Sequence, residues 1–228
     1  WMRENGQLPD VALVGEPSNP KEMGDAIKVG RRGSWNGVLT VRGVQGHSAY
    51  PEKADNPVPK LVAMLHDLSQ TKLDDGNEIF PPSHIVISSV DVGNPVFNII
   101  PAKATAKINI RYNNHWTRES LEQKVREILD RSGFEYELQG SGFYSSFLAQ
   151  GPEWRDMVAS AVAEVSGKSP VPNTLGGASD ACHIAPYCPV VEYGVVNSSI
   201  HKVDEYVKLT DIEELTRTYL VLLGKYLS

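Results

Sequence analysis

The sequence predicts an α/β chain. A self-contained α+β domain with the order β-α-β-β-α-β, spanning 33–144, is inserted between two parts of a second domain, 1–32 and 145–228. Three observations predict it. The apolar pattern from residue 35 to 139 switches between period 2 and period 3.6 in that order. The run Val11-Ala12-Leu13-Val14 reads as a buried strand, which needs sheet neighbours from elsewhere. From residue 145 the chain changes to two helical segments separated by Gly- and Ser-rich turns.

In order, Val11–Val14 ends at Gly15 and runs into the breaker-rich turn Glu16-Pro17-Ser18-Asn19-Pro20. Residues 35–44 alternate as a strand. Asn56-Pro57 then opens a helix with a capping residue and Pro at the first helical position. Val58, Leu61, Val62, Leu65 and Leu68 form its expected apolar stripe. After Pro81-Pro82 comes a β-branched strand over 84–92. Over 104–112, Ala104, Ala106, Ile108, Ile110 and Tyr112 share one face, with Thr105, Lys107, Asn109 and Arg111 on the other. A second helix is capped at Thr117, carries Leu121, Val125, Ile128 and Leu129, and stops by Gly133. A last strand spans 134–139. This order is ferredoxin-like, one antiparallel sheet with two helices on one face. Helices are expected over 152–166 and 211–227, the latter with an Asp211/Glu214 capping-box spacing, and a short strand lies near 189–194.

Composition excludes several classes. With 22 Lys+Arg against 28 Asp+Glu, the net charge of −6 offers no phosphate-neutralising stripe, so no nucleic-acid partner is expected. No apolar run approaches the length of a membrane span, so no membrane partner is expected either. Two cysteines are too few for a disulfide framework, in keeping with a cytoplasmic location. At 41% hydrophobic, the chain can bury a core.

Four clusters could carry chemistry. Glu16 follows a buried strand, where a carboxylate can hold a metal or act as a base, and where a solvated turn acid also fits. His47, in Gly46-His47-Ser48-Ala49-Tyr50-Pro51, can donate to a developing oxyanion or simply bond within its loop. Gly176-Gly177-Ala178-Ser179-Asp180 allows close backbone approach to a ligand or a tight turn. No Gly-x-Ser-x-Gly elbow surrounds Ser179, which disfavours a serine hydrolase. His201, in Asn197-Ser198-Ser199-Ile200-His201-Lys202-Val203-Asp204-Glu205, could ligate zinc or lie solvated among charges. Cys182, His183 and Cys188 match no common zinc spacing and read as structural thiols.

As a set, "VGEPS", "GRRGS" at 30–34, "GVQGHSAYP" at 43–51, "FNIIP" at 97–101, "GGASD" at 176–180 and "NSSIHKVDE" at 197–205 resemble the co-catalytic zinc aminoacylases of the M20 metallopeptidase family. The combination of "GRRGS", "GHSAYP" and "IHKVDE" favours the desuccinylase branch, with acetylornithine-type deacylases as the alternative. The resemblance implies an α/β catalytic domain of zinc-peptidase type, carrying two zinc or cobalt ions per complete subunit. It also implies that the inserted ferredoxin-like domain is a lid through which a homodimer forms. Glu16 would ligate one metal and His201 the other. His47 would reach from the partner's lid to polarise the scissile amide of a small dicarboxylate substrate. Arg31, Tyr50, Asn98, Arg111, Gly177, Ser179 and Asn197 would lie at or near the substrate.

The family's remaining ligands and its general base precede the Gly-Glu-Pro-Ser motif. Here fifteen residues precede Glu16, and none is His. The chain is therefore expected to be a portion of such an enzyme, beginning at Trp1, with an incomplete catalytic part, no general base, no bound metal and no activity of its own. A non-catalytic dimerisation module is the other reading. Segments 1–32 and 145–228 are expected to show disorder, strand swapping or exposed apolar surface. Ala181-Cys182-His183 replaces a Gly-Arg-Phe common in relatives.

Overall fold

The computed structural model describes residues 4–228, so the first three positions of the 1–32 segment, Trp1 among them, lie outside the described residues. In chain order the strands and helices begin with β1 (Ala12–Val14), β2 (Ala26–Lys28), β3 (Gly30–Arg31), β4 (Gly33–Arg42), β5 (Gly46–His47) and α1 (Pro57–Gln70). They continue with β6 (His84–Asp91), β7 (Ile99–Ile100), β8 (Lys103–Tyr112), α2 (Arg118–Asp130), β9 (Glu137–Tyr144) and β10 (Phe147–Leu148). The last are α3 (Pro152–Ser166), β11 (Val171–Asn173), α4 (Ala181–Ile184), β12 (Val190–Glu192) and α5 (Leu209–Leu227). The chain divides into two compact units: Gly33–Ser146, and the segments up to Arg32 and from Phe147 to Ser228.

The Gly33–Ser146 unit is a four-stranded antiparallel sheet in the order β6-β8-β4-β9, with α1 and α2 packed on its apolar face. The core alternation of β8 is as the pattern predicts: Ala104, Ala106, Ile108, Ile110 and Tyr112 are all buried. They meet Trp35, Leu39 and Val41 of β4 and the helix residues Leu61, Leu65, Leu121 and Val125. Asn56 caps α1 by accepting the Val58 N–H at 3.1 Å. The stripe differs from expectation at one position. Val62 is 57% exposed, and Met64 is buried instead. One residue step turns a helix by about 100°, so Val62 swings away from the Leu61–Leu65–Leu68 line while Met64 stays beside it.

The Thr117 cap is a reciprocal capping box with Ser120, whose N–H the Thr117 Oγ1 accepts at 3.2 Å. Thr117→Ala is expected to cost about 1 kcal/mol of this unit's stability, read as a lower urea midpoint. Strand β9 runs from 137 to 144, not 134 to 139. Its Gly140-Ser141-Gly142 stretch has no alternation to read, yet it pairs with β4 around the Trp35 ring. That ring lies so close over Gly37 that a Cβ there would stand 2.1 Å from it.

The second unit answers where the neighbours of β1 come from: later in the chain. Its sheet order is β1-β12-β2-β11, with β1 parallel to β12 and β2 parallel to β11. Glu192 of β12 pairs antiparallel with Lys28 of β2. Helices α3 and α5 pack together, and Trp154, Val158, Val162 and Leu222 join Ile27, Val191 and Tyr193 in the core. The segments thus pair their strands with one another. Apolar exposure does occur, at Leu223 and Tyr226 of α5, beside a hollow that Leu13 and the buried Trp154 also line.

Helix α5 starts at Leu209 after Lys208, not at Asp211. The Asp211 and Ile212 amides both donate to the Lys208 carbonyl, at 3.1 and 3.3 Å. Asp211 instead sits inside the first turn, where the helix dipole favours a carboxylate. No helix among the described residues is long and apolar enough to cross a membrane.

Candidate functional site

In the unit containing β1, the Glu16 turn is built by two buried polar side chains. Ser18 donates to the Ala26 carbonyl at 3.2 Å and accepts the Gly194 N–H at 3.2 Å. Asn19 accepts the Ala26 N–H at 3.0 Å and donates to the Gly194 carbonyl at 2.7 Å. Satisfying these backbone groups holds the turn at the end of β1 and leaves Glu16 partly exposed. The Asn197 N–H donates to the Asn19 carbonyl at 2.9 Å, so the loop that begins at Asn197 is tied to the same turn. Farther along that loop, His201 is exposed with φ +58°, a left-handed backbone.

Glu16 and His201 are the two expected metal ligands. Among the described residues, no three or more His, Cys, Asp or Glu side chains gather into a group that could hold an ion. Zinc in proteins takes three or four protein donors, so the described residues do not complete a zinc site. Cys182 and Cys188 are buried, and burial pushes both thiols up, which keeps them protonated and inert.

Three expected substrate residues are brought together around a carboxylate that the sequence reading missed. Glu192 is 1% exposed. Arg31, 5% exposed, donates to Glu192 Oε2 through Nε at 2.8 Å and also through Nη2. Its Nη1 donates to the Gly177 carbonyl at 3.2 Å. Ser179 donates its hydroxyl to the other Glu192 oxygen, Oε1. Gly176 has φ +118°, and a Cβ there would stand 2.3 Å from Arg31 Nη1, so glycine lets the loop close over the guanidinium. The sequence did carry a signal for Glu192: a carboxylate inside the apolar run Val190-Val191-Glu192-Tyr193 must be paired if it is buried.

Lys28, opposite Glu192 across the sheet, is also buried, with Nζ 2.6 Å from Asn173 Oδ1. Burial pulls its ammonium down from 10.5 to about 8. Arg31 adds to that shift and Glu192 partly opposes it. A folded-state value below the unfolded one means that the unfolded chain binds more protons between the two. The stability of this unit is therefore expected to rise from pH 8 to pH 10, and Lys28→Met to flatten that rise, followed by Trp154 fluorescence in urea titrations. Above pH 10 the buried Tyr193 hydroxyl, pushed up to about 12, works in the opposite direction.

The Gly33–Ser146 unit holds a second cluster. Strand β5 pairs with β7, His47 opposite Ile99, and the Ser48 N–H donates to the Asn98 carbonyl at 2.9 Å. His47 Nδ1 accepts the Ala49 N–H at 3.0 Å, which in the neutral ring places the proton on Nε2. Tyr50 packs edge-on to that ring at 5.9 Å, with Lys53 Nζ 4.9 Å over its own face. His47, Tyr50 and Asn98 thus share one exposed loop cluster. Arg111 stands apart from it on β8, partly buried and opposite Ser34 and His84.

Comparison with known proteins gives the class of the fold. Residues 29–137 match the M20 family model described as peptidase dimerisation domain. Solved structures share the fold, two of them as follows. One is an M20 family metallo-carboxypeptidase, Sso-CP2, from Sulfolobus solfataricus, with TM-score 0.77, 16% identity, and 96% of this chain and 64% of that chain covered. The other is the aminopeptidase PepT from Bacillus cereus, with TM-score 0.75, 18% identity, and 93% and 56% covered. The α/β class and the M20 resemblance read from the motifs are borne out.

The chain is more closely similar to particular proteins. It is 50% identical over its whole length to the succinyl-diaminopimelate desuccinylase of Xanthobacter autotrophicus, covering 61% of it. It is 48% identical to the one of Rhodospirillum centenum, with 99% of this chain and 58% of that protein covered. The chain thus spans about 60% of the length of these relatives.

Proposed function

We propose that this chain is part of a zinc-dependent amide hydrolase that converts N-succinyl-LL-2,6-diaminopimelate and water to succinate and LL-2,6-diaminopimelate, a step of lysine and cell-wall biosynthesis in the cytoplasm. The observation that carries the reading is the 48–50% identity, end to end, to proteins named for that reaction. In the reaction water adds across the amide, its oxygen going to the succinyl carbonyl carbon. The C–N bond breaks and a proton passes to the departing amine.

Glu16 and His201 are proposed as ligands to two zinc or cobalt ions whose other donors, like the general base, lie beyond the described residues. When bound, the metal supplies Lewis-acid activation of the amide and of water. His47 is proposed to stabilise the developing oxyanion, and its Nε2–H is the donor that the Ala49 contact leaves for that purpose. Arg31, Tyr50, Asn98, Arg111, Gly177, Ser179 and Asn197 are proposed to bind the substrate's carboxylates and amide.

A homodimer through the Gly33–Ser146 unit is part of the proposal, with His47 serving the partner's site. The match to a dimerisation domain supports it, as does β6, an edge strand with exposed Val86 and Val90 that a second copy can extend. The test is succinate release from N-succinyl-LL-2,6-diaminopimelate by the full-length, zinc-loaded protein, with metal analysis finding about two ions per subunit. Cleavage of N-acetylornithine without the succinylated substrate would overturn the assignment. A stable, cooperatively folded, zinc-free dimer of this 228-residue chain, with no hydrolysis by the longer protein, would favour the dimerisation module.

A further inference from the structure

Glu192 has no place in the roles above, yet among the described residues it is the most buried charged side chain of the unit, and it joins three of the proposed substrate residues. Its two oxygens are divided, Oε2 taking Arg31 and Oε1 taking the Ser179 hydroxyl, while Arg31 reaches on to the Gly177 carbonyl. The Gly176–Ser179 loop is thereby held at two points, one direct and one through the guanidinium. Charge-assisted bonds in a water-poor setting are strong and directional, and a carboxylate offers each of the two partners an acceptor oxygen of its own. A buried ion pair is weak evidence for stability alone, and fixing one arrangement of neighbours is its better-attested use.

We propose that Glu192 is a positioning residue that sets the Gly176–Ser179 loop and the Arg31 guanidinium in the geometry that receives substrate. It touches no reacting atom, and its effect on catalysis passes through Ser179 and Arg31. The inference rests on the desuccinylase reading for what the loop binds, but the fixing of the loop stands apart from it.

Two readouts test it. In this chain, protease nicking between Leu175 and Ala178 is expected to be about tenfold faster in Glu192→Gln, because neutral Gln cannot accept from both partners. Glu192→Asp, which keeps the charge but is one methylene short, is expected to loosen the loop similarly and serves if the Gln variant does not fold. In the full-length, zinc-loaded enzyme the same variants are expected to raise KM for the succinylated substrate about tenfold, with a smaller change in kcat. Ser179→Ala added to Glu192→Gln is expected to cost little beyond the larger single effect.

Unchanged nicking overturns the proposal, and so does faster nicking with unchanged KM. A raised KM with an unaltered loop also overturns it. If wild-type full-length enzyme does not cleave the succinylated substrate, the function falls, and nicking still decides whether Glu192 fixes the loop.

Discussion

Replacing Arg31 with Met is expected to destabilise the unit built on β1, β2, β11 and β12 by about 3 kcal/mol. The reason is the partner left behind. Glu192 is 1% exposed, and it would keep the Ser179 hydroxyl but lose the guanidinium that neutralises it. The Gly177 carbonyl loses its donor as well. Lys28, opposite Glu192 in the sheet, softens the loss, which is why the lower end of the range for a broken buried pair is expected. Urea unfolding followed through Trp154 reports this unit, while Trp35 and Trp116 report the other. Arg31→Met combined with Glu192→Met is expected to recover part of the stability, because the buried Glu192 charge that the single variant strands is then gone, while the buried Lys28 keeps only the neutral Asn173 amide. A cost below about 1 kcal/mol for the single variant would show that the pair behaves as a solvated one.

Asp74→Ala is expected to cost the Gly33–Ser146 unit about 3 kcal/mol. One carboxylate there organises the whole connection before β6. Oδ1 accepts from the Gly76 N–H at 2.8 Å, the Ser83 N–H at 3.1 Å and Asn113 Nδ2 at 2.6 Å. Oδ2 accepts from Trp116 Nε1 at 2.7 Å. Asn113 is fully buried, so truncation strands donors away from water. Partial burial pushes this carboxyl up, but the bonds from Ser83, Trp116 and Gly76 outweigh it and hold it at about 2 instead of 3.8. The folded-state value lies below the unfolded one. The contribution is therefore complete above pH 3.8 and disappears as the pH falls through about 2. The stability difference between wild type and Asp74→Asn is expected to shrink over that interval, and a difference independent of pH would refute the assignment.

These two hubs also show which features a sequence makes legible. The elements of the middle unit were readable because its sheet has one apolar face: β8 alternates strictly, and α2 repeats at helical spacing from a recognisable cap. The pattern starts strand β9 three residues early and stops it five early because Gly140-Ser141-Gly142 carries no periodicity, and the Trp35 ring that it accommodates comes from another strand. Val62 was misplaced by one helical step, since an apolar residue at the margin of a stripe can face either way. Asp211 had the spacing of a cap, but the Lys208 carbonyl took the first backbone bonds.

The candidate residues divide in the same manner. Short motifs rich in glycine, proline and polar turns pointed to Glu16, His47, Gly177, Ser179 and His201, whereas Arg31, Tyr50, Asn98, Arg111 and Asn197 entered only through the resemblance to the M20 family. No local pattern could join Arg31 to Glu192, which stand 161 residues apart, or Asp74 to Trp116, which stand 42 apart. By itself the sequence determined the main strands and helices of the middle unit, most of the faces they bury and the family of motifs, since these follow from periodicity and turn chemistry within a few residues, while the two- and three-residue strands such as β2, β3 and β11 are too short to carry a period. Only the tertiary structure decided that β12 lies between β1 and β2, and with it that one buried carboxylate holds Arg31 and Ser179. Strand pairing across the chain is chosen by the burial of the assembled sheet, and a buried charge finds its partner only once that sheet exists.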